Sequence, residues 1–174
     1  MVSFTTLSLP FALVLAAATQ MASAAPTTPN YKAHSAEVLR VHNKYRAKHG
    51  VPDLKWSTTL AKYAQEWSSK CEFQHSQGAY GENLAMGYSS FTKAINGWYG
   101  EVSSYDFKKP GFGGTTGHFT QVVWKATTEV GCGVTTCANY GNARLYTCSY
   151  RQPGNMVGNN NLYFTQNVLP LVTK

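Results

Sequence analysis

The first strong pattern along the chain is an apolar run from Leu7 to Ala18, LSLPFALVLAAA, within a stretch that has no charged side chain from Met1 to Ala24. Ala22-Ser23-Ala24 follows as a small-residue cleavage site, so residues 1–24 are expected to be a secretory signal peptide. The run is too short for a membrane span, which needs ~20 apolar residues. Residues 25–34 are rich in Pro and Thr and are expected to form a flexible leader. From Ser35 to Lys48 the apolar positions Val38, Leu39, Val41, His42 and Tyr45 fall at helical spacing, with Ser35 as N-cap and Gly50 beyond the end. Ser57 is placed to cap a second helix carrying Leu60, Ala61, Ala64 and Trp67. Ser90 is placed to cap a third, with Phe91, Ala94, Ile95, Trp98 and Val102 on one stripe. Residues 72–90 and 105–117 are expected to be loops. His118 to Lys125 alternates apolar and polar positions and predicts a strand. Val130–Thr136 and Arg144–Tyr150 predict a hairpin across the turn-rich Asn139–Asn142. A short tail closes the chain after Asn161, with 171–174 outside the domain. Helices first and strands last give an α+β domain, helices packed on an antiparallel sheet.

Composition changes this picture in three places. The chain of 174 residues suits one domain. Its charged fraction of 13% is about half the ~25% of an ordinary soluble domain, and 13% of it is aromatic, which excludes a disordered chain. Fifteen Lys and Arg against eight Asp and Glu give a formal charge of +7. Lys44, Arg46, Lys48, Lys108, Lys109, Arg144 and Arg151 are spread along the chain, and no base-reading motif accompanies them. Nucleic acid is therefore not an expected partner, whereas anionic cell-wall or membrane surfaces are. In an oxidising compartment the four cysteines should form two disulfides. A hairpin centred on Tyr140 sets Cys132 opposite Cys148 and Cys137 opposite Ala143. The expected bridges are Cys132–Cys148 and, by what remains, Cys71–Cys137.

Two groups of residues carry candidate chemistry. His75 and Glu82 lie seven positions apart in HSQGAYGENL, Glu101 follows Trp98 by three, and His118 opens the alternating segment. Imidazole and carboxylate suit zinc or another divalent cation, and equally general acid–base work. The same four residues also fit as satisfied polar groups at loop and helix edges. Tyr105, Phe107 and Phe112 stand on a Gly/Pro-rich loop with Pro110, where aromatic faces offer contact to an apolar ring system or dock into the core. Neither H-E-x-x-H nor G-x-S-x-G occurs, and no organic cofactor is indicated.

The segments His75–Leu84 (HSQGAYGENL), Gly117–Trp124 (GHFTQVVW), Gly131–Gly133 (GCG) and Cys148–Asn155 (CSYRQPGN) resemble the signatures of the CAP superfamily. That family comprises cysteine-rich secretory, antigen-five and group-one pathogenesis-related proteins. The resemblance runs from about Ser35 to Pro170. It implies a three-layer α–β–α sandwich with a central antiparallel sheet over 35–170, and it agrees with both disulfides. It places the family's cleft tetrad on His75, Glu82, Glu101 and His118 as a metal site. It implies a secreted, non-catalytic protein that binds sterols or related small hydrophobic compounds through Tyr105, Phe107, Pro110 and Phe112. The alternative is a metal-dependent, protease-like hydrolase using the tetrad. Arg151-Gln152 departs from the family, which often has an acidic residue before Pro153. No extra cysteine-rich module follows the domain, so channel blocking is not expected.

Overall fold

The structure is a computed structural model that describes Met1 and residues 30–173. The expected signal peptide, apart from Met1, and most of the expected leader lie outside the described residues. Among those described, no helix is long and apolar enough to cross a membrane. In chain order the elements are α1 (Ser35–Lys48), β1 (Lys55–Trp56), α2 (Thr58–Ser68), β2 (Gly81–Met86), α3 (Phe91–Gly100), α4 (Gly117–Val123), β3 (Glu129–Cys137), β4 (Ala143–Arg151) and α5 (Leu162–Asn167). The strands form one sheet in the order β1-β3-β4-β2. The sheet is antiparallel except at the two-residue β1, which runs parallel to β3.

Strand alternation sorts the sheet's two faces. Val130, Cys132, Tyr146, Cys148 and Tyr150 join α1, α3 and α4 in the main core, with Val38, Trp98, Phe119 and Val122. The opposite face receives α2. There Gly131 and Gly133 let the helix come so close that a side chain at either position would collide with the backbone of Ala61 or Gln65. Helices therefore cover both faces of the sheet, and the domain is the three-layer sandwich that the resemblance implies.

The hairpin register puts Cys132 opposite Cys148 and Cys137 opposite Ala143. Both expected disulfides, Cys71–Cys137 and Cys132–Cys148, are formed. Ser57 and Ser90 cap α2 and α3 by accepting from the amides of Leu60 and Lys93. Ser35 does not cap α1; its hydroxyl donates to the Lys32 carbonyl, and His34 occupies the cap position without a side-chain bond. Tyr31 to His34, at the end of the expected leader, form a turn whose Tyr31 carbonyl accepts from the Trp56 indole at 3.0 Å.

Four other expectations are corrected. His118–Lys125 is not a strand: Gly117–Val123 is a helix. Phe119, Thr120, Gln121, Val122 and Val123 are all buried, so the segment shows no polar face from which a helical period could be read. Within the expected loop 72–90, Gly81–Met86 is an edge strand. GENLAM has little intrinsic strand preference, and pairing along β4 overrides it. The tail contains α5, held by Phe164 packed edge-on against Trp124. Finally, Arg46 is fully buried, not a surface charge. Its guanidinium donates to the carbonyls of Pro52, Val122, Trp124 and Thr127, which ties the C-terminal end of α4 to α1. Burial lowers its pKa to about 10.

Candidate functional site

The four cleft residues come from four different places and meet as two pairs. His75, on the loop after α2, places Nδ1 2.8 Å from Glu82 Oε1 on β2. The same oxygen accepts from the Ser76 amide at 3.0 Å. The Glu82 side chain is only 6% exposed, while His75 is 56% exposed. This hydrogen bond raises the His75 pKa above its ordinary value, against an opposing effect of burial. The other oxygen, Glu82 Oε2, is buried without a partner.

Glu101 follows α3 directly and opens a 3-10 turn, Glu101–Ser104. Its Oε2 accepts from the amides of His118 and Phe119 at 2.9 and 3.0 Å, and its Oε1 lies 2.7 Å from His118 Nδ1. The carboxylate thus satisfies free amides in the first turn of α4 and orients the His118 ring in the same contact. The ring also stacks on Trp98, with centroids 6.3 Å apart. In each pair the carboxylate can only accept, so it selects the tautomer with Nδ1–H. Each Nε2 then carries a free lone pair.

A cavity of about 120 Å³ is lined by His75, Glu82, His118, Asn83, Asn155 and Phe112, among others. Three of the four cleft residues therefore line one cavity. Glu101 faces an adjoining groove of about 290 Å³ together with His118, Trp98 and Phe73. Among the described residues, no group of three or more His, Cys, Asp or Glu is placed to hold one metal ion.

Asn83 was not among the expected site residues. Its Nδ2 donates to the His118 carbonyl at 3.1 Å and lies 3.4 Å from the Tyr150 hydroxyl. The Tyr150 hydroxyl donates to His42 Nε2 at 2.9 Å. Its neighbour Glu82 stood out by its charge; Asn83 becomes visible only once the segment is seen to be a strand.

The aromatic loop separates into two roles. Tyr105 is buried, with its ring 5.0 Å from Phe107 and 5.4 Å from Phe119. Phe107 is half-buried against Phe119 and His49. Phe112 is 55% exposed and leans on Gly117. Beneath the loop lies an open cavity of about 430 Å³, lined by Tyr105, Pro110, Phe112, Lys109 and Asn161, among others. Phe112 also lines the cleft cavity, so the two candidate sites adjoin.

These features can be set beside known proteins. The chain is 44% identical to Protein PRY2 of Saccharomyces cerevisiae over 142 residues, 79% of this chain and 41% of that protein. It is 41% identical to Secreted protein RBT4 of Candida albicans over 145 residues, 76% of this chain and 40% of that protein. It thus spans less than half the length of these two fungal relatives. The crystal structure of NaASP2 with Zn2+ superposes with a TM-score of 0.61 at 26% identity, covering 71% of this chain and 81% of that one. The profile of the cysteine-rich secretory protein family (CAP) matches residues 39–150, most of the folded domain. The chain belongs to the CAP family of cysteine-rich secretory proteins.

Proposed function

We propose that this chain is a secreted, non-catalytic carrier that binds sterols or related small hydrophobic compounds at the Tyr105–Phe112 loop. The observation that carries this reading is the cavity of about 430 Å³ beneath that loop. Its size falls within the usual ligand range of ~300–1,000 Å³. An exposed Phe112 at its rim offers an aromatic face, while Tyr105 and Phe107 brace the loop from the core. Secretion is supported by the apolar leader and by the relative named as a secreted protein. The test is binding of labelled cholesterol to the wild type and to Phe112→Ala. A Phe side chain giving the ligand ~100 Å² of contact at ~25 cal/mol per Å² contributes ~2.5 kcal/mol, so affinity should fall about seventyfold. Unchanged binding would end the assignment.

A second reading is favoured by the tautomers of the cleft. His75 and His118 each hold Nδ1–H against a carboxylate, the arrangement that readies Nε2 for a divalent ion such as zinc. On this reading the two imidazoles would be the ligands, with Glu82 and Glu101 orienting them from behind. The unpartnered Glu82 Oε2 adds negative charge at the cavity wall. Such an ion would hold the cleft in shape and, if catalytic, would polarise a bound water. Two protein ligands fall short of the three that catalytic zinc sites use, so the hydrolase reading ranks second. Thiol catalysis is not available, because all four cysteines are in disulfides.

A further inference from the structure

Five exposed large apolar side chains stand on the carrier loop and on the two segments that touch it: Phe112, Met156, Val157, Leu162 and Tyr163. Val157 is 67% exposed, well beyond what core packing requires. Two contacts hold the segments together. Asn155 Nδ2 donates to the Gly117 carbonyl at 2.8 Å, beside the Phe112 ring, and Met156 and Val157 follow at once. Asn161 packs against Gly111 and lines the loop cavity, and Leu162 and Tyr163 follow it directly. These apolar side chains therefore follow directly the two residues that tie their segments to the carrier loop. An exposed apolar group of this kind beside a ligand cavity marks an interaction surface.

On the loop two cations, Lys108 and Lys109, stand against one carboxylate, Asp106, which also lines the cavity. Lys108 and Lys109 are exposed on the loop, and Lys109 lines the cavity. The acidic side chain on the loop is Asp106, whose carboxylate accepts from the Lys108 amide at 2.9 Å. From Val130 to Lys174 the sequence has no Asp or Glu. Apolar side chains flanked by cations, with no carboxylates on the segment beside them, match the interface of an anionic bilayer.

We propose that this apolar surface is a docking surface for an anionic lipid bilayer, through which the loop site exchanges its ligand directly with the membrane. The proposal rests on the carrier reading and extends it. A sterol-like ligand resides in the bilayer, and a surface that enters the interface spares it from crossing water. The neutral Asn159, Asn160 and Asn161 between the apolar pairs suit the headgroup level, where polar groups stay hydrated.

The test uses the purified chain and sterol-free vesicles of phosphatidylcholine, with or without one third phosphatidylserine. The wild type should float with the anionic vesicles, less with neutral ones, and less in high salt. Val157→Asp combined with Leu162→Asp should lower flotation about tenfold while thermal unfolding stays unchanged. Neither residue lines the cavity, so sterol delivered from cyclodextrin, without vesicles, should bind this variant as it does the wild type. Wild-type protein that fails to float, or a variant that floats equally well, overturns the docking surface and leaves these side chains to a protein partner. Loss of cyclodextrin-delivered sterol in the variant also overturns it, by placing these residues in the ligand site. Absence of sterol binding by the wild type in the vesicle-free arm defeats the carrier reading and with it the exchange, while flotation still decides the docking surface by itself.

Discussion

His42 makes the domain's acid sensitivity calculable. The ring is fully buried on α1. Its Nδ1 lies 2.9 Å from the Val38 carbonyl and must carry the proton, while Nε2 accepts from the Tyr150 hydroxyl. Protonating Nε2 would place a second cation near Arg46 and take away the acceptor of the buried Tyr150 hydroxyl proton. Burial chiefly, and Arg46 in addition, lower the pKa from 6.5 to about 4, although the Val38 carbonyl acts in the opposite sense. With the folded pKa below the unfolded one, the unfolded chain takes up a proton that the folded chain refuses. Stability is therefore fully present above pH ~6.5 and declines as pH falls toward ~4. The shift of ~2.5 units at 1.36 kcal/mol each, less the partial protonation of the folded state at pH ~4, gives a loss of about 3 kcal/mol. His49 has a lowered pKa from burial and adds a loss of the same sign. The assay is urea unfolding of wild type and His42→Gln at pH ~7 and pH ~4. Gln lowers stability at both, but removes the titration. The wild type should lose about 3 kcal/mol more than the variant between the two pH values. Parallel losses within ~0.5 kcal/mol would refute the reasoning. The consequence reaches the cleft, because Tyr150 contacts Asn83 and Asn83 holds the His118 carbonyl.

The other predictions concern the bridges, the loop and the cleft. The Cys71–Cys137 bridge spans 66 positions and Cys132–Cys148 spans 16. Loop entropy then predicts that replacing the longer bridge by two serines costs about 4 kcal/mol and the shorter about 3 kcal/mol, read by guanidinium unfolding. Phe107→Ala opens a gap beside His49 and Phe119 and should lower stability by about 3 kcal/mol, some 10 °C in melting temperature. Phe112→Ala should stay within ~0.5 kcal/mol of the wild type, because that ring is largely in solvent. Zinc affinity, measured by titration calorimetry, should fall from about pH 8 to about pH 6, because ligation needs a neutral ring and Glu82 raises the His75 pKa. Glu82→Gln should move that fall to lower pH, and a pH-independent affinity would remove His75 from the ligand set.

Legibility in the sequence followed how local each determinant was. The disulfides were readable because a hairpin register is arithmetic once its turn is found, and Asn139–Asn142 marks the turn. The caps of α2 and α3 were readable because a serine before an apolar stripe is a local signal. The misses have the opposite character. GENLAM is a strand only because β4 lies beside it, and nothing within those six residues says so. GHFTQVV is a helix because Glu101, sixteen positions before its first residue, meets its first-turn amides and because its other sides are buried. That second miss bears on the site. A strand would have placed Val122 and Trp124 beside His118 and left Glu101 as an edge carboxylate in need of a partner. As a helix, the segment supplies that partner itself, and one carboxylate both starts α4 and fixes the His118 tautomer. The cleft is therefore built into the fold's own capping chemistry. Glu101→Gln should then lower both the melting temperature and zinc affinity, whereas Glu82, whose amide contact is to Ser76 in a loop, should weigh more on the ion than on the fold.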